Sequence, residues 1–331
     1  MKKWIPLLIC LAALSGYAQE EAPANVREDA FLAQKEIEVW RTDKANDSRV
    51  KIYSCQAVQI RPQWFLTAAH CVYTACHGSL PCTVQITLAQ GELSEQVRVY
   101  HSTASPRVFI YEGFFPGQNR ISSVDVALIK LDPSTADYSY SAPDKDGVWQ
   151  TISPQQFNRL LAQSPETKAQ RQASSVRLIS AANLSNAQLL PTIAVPRLTQ
   201  GVLTYLVSPS KEVFFVQELQ HFISPGFGVR QGNSGGGVFT AQGDLVGIVS
   251  SLVYATDGSV SFRDESGKKY TLKNARDLFF FTGFNGSTLN FIRTHESSLR
   301  TVGADNGFTK PTDKQFSDIV KAVRNLPVQL E

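Results

Sequence analysis

The sequence predicts an all-β fold, and three observations carry that reading. From Val50 onward, short apolar runs rich in Val, Ile, Leu, Phe and Thr recur along the chain. Gly, Pro, Asn and Asp punctuate them, supplying the backbone conformations that tight turns require. Helical periodicity is confined to two stretches. Taken in order, strands are expected at Val50–Ile60, Trp64–Ala69, Thr83–Leu88, Gln96–Tyr100, Val124–Leu131, Val176–Ile179, Val202–Val207, Val213–Glu218, Gly236–Phe239 and Leu245–Leu252. Many short strands joined by turns suit sandwiches or barrels. Asp132–Gly147, rich in Pro, Ser, Asp and Tyr, reads as a linker, and its Asp144-Lys145-Asp146-Gly147 as a turn; a calcium loop would need further ligands at set spacing. After Pro154, Phe157, Leu160 and Leu161 predict a helix. Phe316, Ile319, Val320, Val323 and Leu326 lie on one face of a second, as in a helix docked on its own protein.

The amino terminus reads as an export signal. Lys2 and Lys3 precede an apolar run from Trp4 to Leu14, and Gly16-Tyr17-Ala18 offers small residues for cleavage after Ala18. The run is well short of the roughly 20 apolar residues that cross a bilayer. No later segment is apolar enough to span one. Cys10, preceded by Ile9, lacks the small-residue setting of a lipid attachment site. The signal holds two of the 32 basic residues and none of the 29 acidic ones, which leaves 30 against 29. A balance so near neutral gives no reason to expect nucleic acid or anionic lipid as the main partner. Without Cys10, four cysteines remain: Cys55, Cys71, Cys76 and Cys82. In an exported protein they indicate two disulfides, with three connectivities open. Zinc, suggested by Cys76-His77 and Cys82, lacks a paired short-spaced ligand set.

Three segments carry chemistry: Thr67-Ala68-Ala69-His70-Cys71, Ser123-Val124-Asp125-Val126-Ala127-Leu128-Ile129 and Gly232-Asn233-Ser234-Gly235-Gly236. Singly, each has a plain reading as a core histidine, a strand cap or a turn. Together they supply a base, an acid to orient it and a nucleophile, the set needed for acyl transfer through a covalent intermediate. With Cys55 and Cys71 sixteen residues apart around the histidine segment, they closely resemble the trypsin/chymotrypsin family of serine endopeptidases. The resemblance covers about Val50 to Arg300, densely at the motifs and thinly between them.

That resemblance implies two six-stranded antiparallel β-barrels with a C-terminal helix, and a Cys55–Cys71 bridge holding His70 on a rigid rim. It makes His70 the general base, Asp125 the buried carboxylate that fixes its tautomer, and Ser234 the nucleophile, in the family's own chain order. The backbone N–H groups of Gly232 and Ser234 would form the oxyanion hole. Ser250 matches the serine that hydrogen-bonds the aspartate. His77, His101, His221 and His295 match no family motif and read as surface or structural residues.

The chain also departs from trypsin itself. Asn233 stands where trypsin has the Asp that pairs with a new amino terminus, and no Ile-Val-Gly-Gly-like start lies upstream. The motif instead resembles bacterial members such as glutamyl endopeptidases and periplasmic quality-control proteases, although too little chain follows Ser234 for a full PDZ domain. Activity is therefore expected from folding alone or after removal of part of Gln19–Trp40. Gly228 at the pocket floor offers no charge for Lys or Arg, and Val249 replaces the histidine of glutamyl endopeptidases. Val229, Gln231, Ser250 and Leu252, with Leu278 or Phe279 opposite, would line a shallow apolar pocket, implying cleavage after small or medium aliphatic residues. An insertion at 255–278, with a hairpin turn at Arg263–Lys268, would border the cleft.

The expected organisation is a signal at 1–18, an N-terminal segment or short propeptide at 19–40, and a protease domain at 41–300. Its barrels would span about 41–132 and 170–286, with a helical extension at 301–331. The implied protein is a secreted or periplasmic endopeptidase that acts on protein or peptide substrates and needs no cofactor or metal. Two other readings use the same residues: a catalytically silent binding protein on this fold, and an esterase-like hydrolase.

Overall fold

The computed structural model describes residues 28–42, 49–77, 81–112, 114, 124–171, 176–179, 193–199, 202–208, 214–216, 221–225, 229–240, 242–253, 259–263, 269–273, 278–284, 286–297 and 301–302. The first half is one antiparallel sheet. Its strands are β1 (Gln34–Thr42), β2 (Arg49–Arg61), β3 (Trp64–Thr67), β4 (Cys82–Gln90), β5 (Ser94–His101), β6 (Val108–Ile110), β7 (Ala127–Lys130), β8 (Asp137–Pro143) and β9 (Trp149–Thr151). They pair in the order β6-β7-β3-β2-β1-β4-β5-β8-β9. Helix α1 (Ala69–Cys76) follows β3, and α2 (Pro154–Leu161) and α3 (Pro165–Arg171) follow β9.

The second half contributes β10 (Leu178–Ile179), β11 (Ile193–Thr199), β12 (Val202–Ser208), β13 (Phe214–Val216), β14 (His221–Pro225), β15 (Gly237–Thr240), β16 (Leu245–Val253), β17 (Ser259–Arg263), β18 (Lys269–Lys273), β19 (Leu278–Gly283), helix α4 (Gly286–His295) and β20 (Thr301–Val302). Its main sheet runs β12-β11-β15-β16-β19-β14-β13, and β10 pairs parallel with β16 and β20. β17 and β18 form a separate antiparallel hairpin inside the 255–278 insertion, flanking the expected turn. The all-β class is as expected. The strand count is not six: nine strands follow one another in the first sheet, and no pairing among the described residues closes either sheet into a barrel.

Residues before 41 also enter the first sheet. In β1, Ile37 and Val39 are buried while Glu36, Glu38 and Trp40 are half-buried, the period of two expected where one face of a strand packs inward. Ile37 pairs with Cys55 on one side and Ile86 on the other, so β1 lies mid-sheet. A 3-10 turn at Glu28–Ala33 precedes it and buries Phe31 completely, its ring 5.4 Å from that of Phe239 on β15. Residues 28–40 thus pair and pack with the rest of the fold.

The linker reading of 132–147 also changes, because β8 pairs with β5 and extends the sheet. The turn after it forms as expected: the Asp144 carboxylate accepts N–H groups of Asp146 at 2.9 Å and Val148 at 3.0 Å, and Gly147 takes a φ of 79°. The expected strand at Trp64–Ala69 stops at Thr67, where the chain turns into α1. The helix after Pro154 is present, with Ser153 and Gln156 forming a reciprocal capping box. Residues 1–18 and 316–326 lie outside the described residues. Thr301–Val302, expected to open the helical extension, instead form β20. No helix among the described residues is long and apolar enough to cross a membrane.

One apolar core joins the halves. Phe65, Leu66, Val84 and Leu128 of the first sheet belong to the same buried cluster as Phe239, Ile248 and Phe284 of the second. At the back, α4 lies against the first sheet: the His295 ring is 4.2 Å from Phe109 and 6.3 Å from Trp64. Burial, with the nearby Lys130 charge, lowers the His295 pKa, as suits a neutral ring in an aromatic setting.

Candidate active site

Strand register brings His70 and Asp125 together. Thr67, the last residue of β3, lies opposite Ala127, the first of β7. His70 follows three residues after one strand end and Asp125 precedes the other by two, so both emerge at the same end of the sheet. Asp125 is fully buried. Its Oδ2 lies 2.7 Å from His70 Nδ1 and accepts the Ser250 hydroxyl at 2.6 Å, while Oδ1 accepts the His70 backbone N–H at 2.8 Å. Burial pushes the Asp125 carboxyl up, but His70 and the hydrogen bonds from Ser250 and the His70 backbone outweigh it and hold the group below its ordinary range. The His70 ring is itself 8% exposed and meets the Tyr53 ring edge-on at 6.5 Å.

Ser234 arrives from the second sheet. Gly237, three residues on, pairs with Ile248 of β16, and Ser250 lies two residues beyond Ile248. The turn is sewn onto β16 by Gly235 N–H to the Val249 carbonyl at 2.8 Å, and by Val249 N–H to the Gly236 carbonyl at 2.8 Å. The Ser234 hydroxyl donates to the Ser250 carbonyl over 3.5 Å, a long contact at the limit of hydrogen-bond range. Across the interface, Gln56 N–H of β2 donates to the Ser234 carbonyl at 2.8 Å. Gly235 is required: at its φ of 82°, a Cβ would lie 2.1 Å from the Gln56 carbonyl oxygen.

Asn233 is 5% exposed and closes its own loop. Its Oδ1 accepts the Arg230 N–H at 2.8 Å, and its N–H donates to the Arg230 carbonyl at 3.0 Å. Gly232 has a φ of 94°. Among the described residues, the N–H groups of Gly232 and Ser234 have no intramolecular acceptor.

Of the expected pocket residues, Val229 is buried, Gln231 exposed, and Ser250 committed to Asp125. Gly228 and the side chains of Leu252, Leu278 and Phe279 lie outside the description, although the register pairs Leu252 with Phe279 and Val253 with Leu278. Leu252 and Phe279 therefore lie opposite each other on adjacent strands. The disulfides are Cys55–Cys71 and Cys76–Cys82. The first ties β2 to α1 beside His70, and the second ties the end of α1 to the start of β4. Cys55, Cys71 and His70 cluster closely enough to ligate a metal, but both sulfurs are bonded to each other. His101 is a structural residue: its Nδ1 accepts N–H groups of Arg107 and Val108, each at 3.0 Å. His77 stacks on Tyr73 at 4.2 Å.

Two contributors carried no motif. Thr282, fully buried on β19, accepts the Asp125 N–H at 3.4 Å. Its signal is a polar residue ending the run Phe279-Phe280-Phe281. Gln34 reaches the Ser234 loop from β1, and nothing in the sequence marked it.

A search of solved structures returns low-identity neighbours. A Glu endopeptidase in complex with MPD matches at 12% identity and a TM-score of 0.41, over 84% of this chain and 95% of that one. A catalytically inactive tobacco etch virus protease complexed with substrate matches at 9% identity and a TM-score of 0.41, over 82% and 86%. No curated protein sequence matches the chain. The sequence model of the trypsin family matches residues 40–262, which include His70, Asp125 and Ser234. The chain is a member of the trypsin family of peptidases.

Proposed function

We propose that this protein is an exported serine endopeptidase in which His70, Asp125 and Ser234 act as a catalytic triad. The observation that carries the reading is the fully buried Asp125 carboxylate, shared between His70 and Ser250, with the Ser234 hydroxyl on the carbonyl of that same Ser250. The bond between His70 Nδ1 and Asp125 fixes the ring tautomer, leaving Nε2 to accept a proton. The hydroxyl's long contact to Ser250 is weak enough to give up as substrate enters, freeing Ser234 Oγ for His70 Nε2, since catalytic hydrogen bonds tighten in the substrate complex.

Ser234 Oγ then attacks the scissile carbonyl as His70 takes its proton. The N–H groups of Gly232 and Ser234 receive the oxyanion, each donor of this kind being worth about 10²–10³ in rate. His70 returns the proton to the leaving amine, and a water that His70 activates releases the acyl group from Ser234. Asn233, already paired with Arg230, has no need of an incoming ammonium group. This supports an active site assembled by folding alone.

Primary specificity is for small or medium aliphatic residues: Gly228 offers no charge, Val249 stands in place of a histidine, and Leu252 and Phe279 are bulky residue types. Two disulfides support an oxidising destination, reached by cleavage after Ala18. Cleavage-site profiling on a peptide library tests the pocket: cuts after Ala, Val and Leu are expected, and a preference for Arg, Lys or Glu would refute it.

A further inference from the structure

Gln34 stands at the seam between the two halves. Its side chain is 2% exposed. Oε1 accepts the Gly237 N–H at 3.0 Å, and Nε2 donates to Gln56 Oε1. Gln56, also 2% exposed, gives its backbone N–H to the Ser234 carbonyl at 2.8 Å. Its own carbonyl accepts the Thr67 hydroxyl at 2.7 Å, three residues before His70. One hydrogen-bonded chain therefore grips the nucleophile turn at the Ser234 carbonyl and at Gly237, and ends at Thr67, the last residue of the strand that delivers His70. The packing leaves it no slack. A Cβ on Gly236 would lie 2.5 Å from Gln34 Nε2, so the amide approaches the turn this closely only because that residue is glycine. Phe31, three residues upstream, packs on Phe239 of β15 and anchors the same strand from below.

We infer that Gln34 is a positioning residue for catalysis: through Gly237 and Gln56 it holds the Ser234 turn in the shape that aims the Gly232 and Ser234 N–H groups at the substrate. Residues 28–34 are then needed for turnover as well as for folding. The inference rests on the triad reading above.

Gln34→Met keeps length and bulk but leaves the Gly237 N–H buried without an acceptor. We expect kcat to fall roughly ten-fold with KM changed less than about two-fold, the pattern of a loss confined to the transition state. The rate of fluorophosphonate labelling should fall in parallel. Gln34→Glu retains an oxygen for Gly237, and rotation of the Gln56 amide supplies a donor to the other oxygen, so it should recover most of the labelling rate. Should Gln34→Met fail to fold, Gln56→Met severs the same chain while sparing the Gln34–Gly237 bond. A roughly three-fold fall in kcat is then expected. A folded variant with a lowered melting temperature but wild-type kcat and labelling would reduce Gln34 to a structural residue. Absence of labelling in the wild type would remove the triad reading, and this inference with it.

Discussion

The two halves of the molecule hold their parts of the site by different means. In the first, His70 lies one residue before Cys71, on a helix bridged to β2 at one end and to β4 at the other. Asp125 is buried between that helix start and Ser250. In the second, the described residues include no cysteine, and the Ser234 turn is held by hydrogen bonds to β16 and, across the interface, to Gln34 and Gln56. His70 and Asp125 are fixed within one covalently braced half. The Ser234 turn takes its shape partly from the opposite half, so it is fully held only when the halves dock.

Removing the braces probes this difference. On the chain-entropy account, replacing Cys55 and Cys71 with Ser should cost about 3 kcal/mol, and replacing Cys76 and Cys82, which close a shorter loop, about 2 kcal/mol. Urea denaturation of the two double variants should reproduce that ranking. The first pair should also lower turnover more, because it sits against His70. Equal losses, or a larger one from the second pair, would show that loop closure is not what the first bridge contributes.

A smaller effect tests the N-terminal brace through Lys35, the residue after Gln34. Its ammonium donates to the carbonyls of Leu32 at 2.9 Å, Leu88 at 3.0 Å and Gln170 at 2.5 Å, tying the 28–33 turn to β4 and α3. Burial lowers its pKa from 10.5 to about 8, opposed by the charge of Glu95, which also lies 2.8 Å from Arg171. Below pH 8 the group is charged in both folded and unfolded chains, and the full cost of burying it is present. Between about 8 and 10.5 the folded state releases the proton while the unfolded chain retains it, so stability should rise with pH. A gain of about 1 kcal/mol from pH 7 to pH 9 is expected in urea titrations, and Lys35→Met should flatten it.

Legibility in the sequence followed the strength of local pattern. β2, β4, β5 and β16 carry apolar residues in alternation or in runs, bounded by turn residues, and each was expected within a few positions. β1 was missed because Glu36 and Glu38 make it read as polar, although their alternation with Ile37 and Val39 is itself a strand signal. β8 was missed because Pro, Ser and Asp in and around it suggested a linker; it is paired on both sides, and its proline stands at the last position of the strand. Ser250 and the Cys55–Cys71 pair were legible because the family resemblance fixes their place. Thr282, Gln34 and Gln56 were not, since their partners lie far away in sequence and only the docking of the two sheets brings them to Asp125 and Ser234.

The most direct test of the central claim is labelling of purified protein with a fluorophosphonate, beside Ser234→Ala and His70→Ala, with the adduct located by mass spectrometry. The account predicts one adduct, on Ser234, lost in both variants. A well-folded protein that takes up no probe, or one labelled equally when His70 is Ala, would contradict it.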